Sequence, residues 1–178
     1  MANLDWPSGL RPIGNGRGGT APQITKYTRS STGALYEGAL LIKDTTGPVA
    51  YNGTTADHAY QVIGVAAHYH GASETDVYVY DDPDQEFLVQ GDSAVTTPLL
   101  KVTWMGPVTA VTGNATTLQS KTELDTSSLT ATYAAFDCLQ IVRLWDAQDN
   151  DQDAANAKWV VKITRTAHIH ANNSTRAT

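Results

Sequence analysis

The sequence predicts an all-β protein, a β-sandwich or small β-barrel preceded by an extended N-terminal arm. Three observations point there. Threonine is unusually frequent, 24 of 178 residues, and Val, Ile and Tyr cluster in short runs cut by turn residues, which suits pleated, half-buried surfaces. No segment keeps a helical period over three turns, and no internal repeat recurs at a fixed spacing. Residues 1 to about 30 gather Pro and Gly in LDWPSGLRPIGNGRGGTAP, a composition expected to hold neither a helix nor a paired strand.

In chain order, the arm spans residues 1–30 and the β-rich domain residues 31–178, with a short C-terminal tail. Trp6, Leu10 and Ile13 stand as isolated apolar points in the arm. A tail without a role rarely carries a Trp, so the arm is expected to dock on a partner. Within the domain, ALYEGALLIK runs to the turn DTTG and PVAYNG follows. AYQVIGVAAHY comes next. DVYVY and QEFLVQ then flank DDPD, where Pro83 and its Asp neighbours suit a turn, so the stretch reads as a hairpin. LLKVTW and VTAVTG meet around MGP. FDCLQIVRLW is apolar on both faces, as a central strand is. AKWVVKITR places Trp159, Val161 and Ile163 on one face and Lys158, Lys162 and Thr164 on the other, the half-buried alternation. The polar loop DAQDNDQDAAN separates these last two.

Composition narrows the function classes. The formal net charge is -6, from 18 acids against 12 Lys plus Arg, and no basic block occurs, so direct nucleic-acid binding is not expected. Met1 is followed by ANLDWPSGLRP, with neither a basic start nor an apolar run, and nothing approaches the length of a membrane span. A soluble product first appearing in a cytoplasm is the expectation. Cys138 is the only cysteine and sits in an apolar run, the setting of a buried, inert thiol.

Several patterns imitate functional motifs. Gly14 to Gly19 match the dinucleotide pattern G-x-G-x-x-G, but Pro12 before and TAPQ after leave no strand–helix junction for a pyrophosphate. Gly91-Asp92-Ser93 resembles a nucleophile motif, yet Ala94 replaces the glycine of an oxyanion hole and nothing fixes a His or Asp partner. His68 and His70, and again His168 and His170, are two apart, so each pair would share a strand face and could chelate a metal. No third ligand completes either pair in sequence. Asp149, Asp151 and Asp153 resemble the start of a calcium loop, but Ala154 stands at the sharp-turn glycine and Val160 at the bidentate Glu. Four N-x-Ser/Thr sequons, such as those at Asn52 and Asn114, are expected by chance in so Thr-rich a chain. No cofactor, metal or catalytic constellation is expected.

GLRP near the start, VIGVAA in the middle, VYVYDDPDQEFLVQGDS, then LQIVRLWDAQDND with AKWVVKI and a late His, in this order, resemble the head decoration, or cement, proteins of tailed bacteriophages. The likeness spans most of residues 8–170. Thr112 to Tyr133 resemble the family least and read as an insertion or variable loop. The resemblance implies a β-rich virion protein on the exterior of the mature capsid, often a homotrimer, clamping neighbouring subunits of the major capsid protein. It brings no catalytic residues. On this reading Trp6, Leu10, Arg11 and Ile13 are the expected capsid contacts. Tyr78 and Tyr80 are the expected oligomer contacts, since aromatic residues are enriched at interfaces. An arm of about 20 residues could reach at most about 70 Å across a subunit boundary. A virion surface module for host attachment or glycan binding, using exposed aromatic rings, is the alternative.

Overall fold

A computed structural model of the chain describes residues 3–15, 21–53, 61–95, 104–109, 112–132 and 137–164. Among them are fourteen β-strands and no helix. Two five-stranded antiparallel sheets pack face to face in a sandwich-like arrangement. The first sheet runs β1 (Arg11–Asn15), β7 (Gln85–Gln90), β14 (Lys158–Ile163), β13 (Leu139–Leu144) and β8 (Met105–Gly106). The second runs β2 (Ile24–Thr28), β6 (Asp76–Tyr80), β5 (Val62–Ala66), β3 (Leu40–Asp44) and β4 (Gly47–Ala50). Two short ribbons, β10 (Gly113–Asn114) with β11 (Gln119–Ser120) and β9 (Val108–Thr109) with β12 (Glu123–Leu124), complete the described structure.

Side-chain alternation explains the layers. In β7 and β14, Phe87, Val89, Trp159, Val161 and Ile163 point inward and are buried, joined by Leu139 and Ile141 of β13. The second sheet meets them with Leu40, Ile42, Val62 and Val65. A bulge where Leu41 pairs with Gly64 but Ile42 with Val62 keeps both valines on this face. The opposite face of the second sheet is also apolar. Leu41, Ile63, Val77 and Val79 are buried there under Leu35 and Ala39. That sheet curls until its two edge strands approach, with Ser30 N–H donating to Thr46 O at 2.8 Å. The molecule is a sandwich in which one sheet is rolled around a small core of its own.

The stretch DVYVY-DDPD-QEFLVQ is not a hairpin. DVYVY is β6 in the second sheet and QEFLVQ is β7 in the first, so DDPD is a corner between layers. The two runs fill different cores: Val77 and Val79 fill the second sheet's own core, Phe87 and Val89 the core between the sheets. The corner is closed by Asp82, whose carboxylate accepts Asp84 N–H at 2.9 Å and whose carbonyl accepts Gln85 N–H at 3.0 Å.

The N-terminal stretch is likewise not a free arm. β1 pairs with β7 and β2 with β6, each at a sheet edge. Pro12 is tolerated because an edge strand has one side without ladder bonds. The register shifts between Pro12 and Gly14, which adopts φ 146°, a conformation open to glycine. Residues 3–15 and 21–30 thus belong to the body of the fold, and a reach of tens of ångströms is not available to them.

These packings predict two stability changes, read by chemical denaturation. Phe87→Ala should cost about 3–5 kcal/mol, since a fully buried ring leaves a cavity between the sheets. Gly64→Ala should cost more than about 1 kcal/mol, because φ is 149° there and an added Cβ would strike Tyr80 O.

Candidate functional site

The N-terminal segment is stapled to the rest of the fold at three points. Asn3 Nδ2 donates to Asp151 O (2.8 Å) and Ala155 O (2.9 Å), and Asn3 Oδ1 accepts Asp151 N–H (2.9 Å). Trp6 N–H donates to Gln90 Oε1 at 2.9 Å. Leu10 N–H donates to Gly38 O at 2.9 Å. Gly9, at φ 69°, lets the chain pass so close to Gly38 that a Cβ would sit 2.6 Å from Gly38 O. Gln90 is the hub: buried itself, it donates through Nε2 to Asp5 (3.0 Å) and Glu123 (2.8 Å), with Asn156 Oδ1 at 3.3 Å. Burial, with Asp5 and Asp92 nearby, raises the Glu123 carboxyl above its ordinary value despite the bond from Gln90.

The staple leaves large apolar groups in water. Leu4 is 67% exposed and Trp6 60%. Covering about 100 Å² of such surface is worth about 2.5 kcal/mol at ~25 cal/mol/Å². Arg11 is exposed on the outer side of β1, and Ile13, at the bulge, is 37% exposed. Of the four expected arm contacts, Trp6 and Arg11 line one recess with Leu88 and Lys158, and Ile13 is exposed further along β1. Leu10 is instead 1% exposed and belongs to the core between the sheets. With its backbone held at Gly38 it is buried, which the isolated-apolar pattern gave no means to foresee. The pattern also passed over Leu4, equally isolated in sequence and more exposed than Trp6, Leu10 or Ile13.

Tyr78 and Tyr80 share a face of β6 but not an environment. Tyr78 is 37% exposed, beside the Lys26–Asp76 ion pair (3.0 Å) and the His68 ring (5.1 Å). Tyr80 is half-buried, its ring edge-on to Phe87 at 6.5 Å and packed on the core, so its availability to a partner is smaller than its spacing suggests. Burial raises its phenol above the ordinary value. Tyr27 behaves similarly, raised by burial and by donating to Asp81 (2.8 Å), which also accepts from Thr25 (2.9 Å).

The imitated motifs resolve into structural roles. His68 and His70 lie with ring centres 4.3 Å apart, but His70 is fully buried and its Nε2 accepts Tyr78 N–H at 3.3 Å. Its Nδ1 faces Glu74 Oε2 at 3.4 Å. Leu35 and His70 exchange two backbone hydrogen bonds, 2.9 and 2.8 Å, which hold the plug of the second sheet's core. No cluster of three or more His, Cys, Asp or Glu arranged for a metal occurs among the described residues. His168 and His170 lie outside the described residues. The Asp149–Asp153 loop is closed by Asn150, which bonds Trp145 O and Lys158 O (both 2.8 Å) and Lys158 N–H (2.7 Å). Asp151 accepts Asp153 N–H at 3.0 Å. Ser93 bonds Asp92 and lies 3.0 Å from the Thr126 hydroxyl, tying β7 to the 125–128 turn. Gly14 lies within β1 and no helix stands at either described end of the glycine run. Cys138 is buried, which pushes its thiol up to about 12.

Comparison of the chain with protein-family models, with curated proteins and with solved structures finds no match.

Two outcomes follow from this geometry. Leu10→Ala should cost about 2–5 kcal/mol of folding stability, whereas Trp6→Ala should change it by less than about 0.5 kcal/mol, both read from denaturant midpoints. Burial, then the neighbouring His68, holds His70 below its ordinary value against the pull of Glu74. The unfolded chain therefore binds this proton more readily, so stability is full above the ordinary His value and is lost as pH falls through the depressed folded value. From about pH 7 to about pH 5 the denaturant midpoint should fall, and less steeply in His70→Gln; equal slopes would remove His70 as the cause.

Proposed function

We propose that the protein is a head decoration, or cement, protein of a tailed bacteriophage. It docks on the outer surface of the mature capsid and stabilises contacts between major capsid protein subunits. What carries this reading is the staple itself: bonds from Asn3, Trp6 and Leu10 fix the backbone while Leu4 and Trp6 are held out in water. A fold that buries Leu10 from the same segment yet displays Trp6 supports a surface kept for a partner. The order of short motifs, which resembles that of decoration proteins, supports the identity of that partner.

The mode of docking differs from a loose strap. A pinned surface loses little conformational entropy on binding, so more of the burial energy appears as affinity. Arg11 and Ile13 extend the patch along the β1 edge, where Pro12 and the bulge discourage open-ended strand pairing. Tyr78, on the other sheet, is left for contact between copies in a trimer, whose several simultaneous attachments gain avidity. The virion exterior is the place of action.

Purified protein added to expanded capsids that lack it should bind and raise their resistance to heat. Trp6→Ala should weaken that binding about 30-fold or more, the loss of about 2 kcal/mol typical of a buried Trp anchor. Wild-type protein that ignores capsids, or a Trp6→Ala variant that binds them normally, would falsify the proposal. Retention on a glycan array by wild type that ignores capsids would favour the host-attachment reading instead.

A further inference from the structure

The outer face of the first sheet collects cations out of proportion to the chain. Counting outward from the buried positions of each strand, it presents Arg11 of β1, Lys158 and Lys162 of β14 and Arg143 of β13. The other described lysines and arginines are spread elsewhere: Lys26 pairs with Asp76, Arg29 is buried on carbonyl oxygens, and Lys43 and Lys121 are isolated and exposed. None of the four on the sheet face forms an ion pair among the described residues. Glu86 is the one carboxylate on the strands of that face. Asp5 and Glu123, at its end, are turned onto Gln90, and the remaining nearby acids lie in the DDPD corner and the 146–153 loop at its two ends.

The centre of the face is filled by its own side chains and is closed to solvent at Val160. Val160 is fully buried although it points away from the core between the sheets, and it is flanked in register by Leu88 and Arg143. Lys158 and Lys162 stand two residues to either side, positioned to lay aliphatic stems around it. Arg143 sits 5.6 Å over the Trp145 ring. Trp6 borders Leu88 and Lys158 along the edge. Cations without an ion pair among the described residues, beside an exposed Trp, describe a docking face, since Arg and Trp are enriched at protein interfaces. On a protein of net charge -6, such a face orients the molecule toward negative surfaces while the rest of it is repelled.

We infer that the outer face of the first sheet docks on an acidic patch of another protein, using Arg11, Lys158, Lys162 and Arg143 for orientation and Trp6 as the apolar anchor. This rests on the decoration reading only for the partner's identity, the capsid exterior; the charge argument stands without it.

Poly-L-glutamate serves as the probe, in binding assays with full-length protein. Wild type should bind at about 50 mM salt and release by about 300 mM. The Lys158→Glu/Lys162→Glu variant should bind at least about tenfold more weakly, while Lys26→Glu/Lys43→Glu, with the same change in net charge, should bind like wild type. Absence of wild-type binding, or equal loss in both variants, overturns the inference. A DNA duplex bound as tightly as poly-L-glutamate also overturns it, since the face would then read any polyanion. Capsid addition separates the two claims. If wild type adds to capsids and Lys158→Glu/Lys162→Glu adds equally well, the docking face is wrong and decoration stands. If poly-L-glutamate binding behaves as expected but nothing adds to capsids, decoration is wrong and the face stands.

Discussion

The chain crosses between the two sheets twice at one corner, and the rest of the molecule is arranged around that constraint. The end of β6 and the start of β7 stand beside the start of β2 and the end of β1, because Asn15 pairs with Gln85 and Ile24 with Tyr80. Gln85 bonds back to Gly14 O, and Asp81 accepts from Thr25 and Tyr27, so each crossing is tied to the other by side chains. Both sheets thereby receive an edge strand from the N-terminal thirty residues. Removing that segment would expose one side of β7 and one side of β6 together, and would withdraw Leu10 from the shared core.

Rigidity at the corner has a consequence for the surface. With β1 held against β7 and Asn3 and Trp6 bonded to the loop and to Gln90, the side chains that remain outside are displayed at fixed positions. Leu4 and Trp6 gain nothing from the fold they decorate. An apolar group fixed in water is unfavourable by the hydrophobic effect and becomes favourable only when something covers it. The proposed capsid contact supplies that cover, and the fixed backbone limits the ordering cost of making it.

Charge is segregated in the same geometry. Strand alternation sends Lys158 and Lys162 to the outside because Trp159, Val161 and Ile163 must go inside. Glu86 is the one acid on the strands of that face, while in the turns Asp82, Asp125 and Asp151 cap neighbouring backbone N–H groups. Asp125 shows the electrostatic side of this: burial would raise its carboxyl, yet bonds from Ser127 and Ser128 hold it below its ordinary value.

The all-β class, the burial of Cys138, the turn chemistry of DDPD and the inward face of AKWVVKI were legible from composition and period alone, because each depends on residues close in sequence. The partner of each strand was not. DVYVY and QEFLVQ alternate as a hairpin would, and only the existence of two separate cores, one between the sheets and one inside the rolled second sheet, decides that they part. Pro and Gly marked the N-terminal stretch as holding no paired strand, and the structure overturns that: edge places were open to Arg11–Asn15 and Ile24–Thr28, and those places depended on β7 and β6, far along the chain. Leu10 and Trp6 look alike as isolated apolar residues, yet with the backbone held at Gly38 and Gln90 the first is buried in the core and the second is exposed. Period sets which side chains can share a face; which face meets water is set by contacts between residues distant in sequence, and those exist only once the chain has folded.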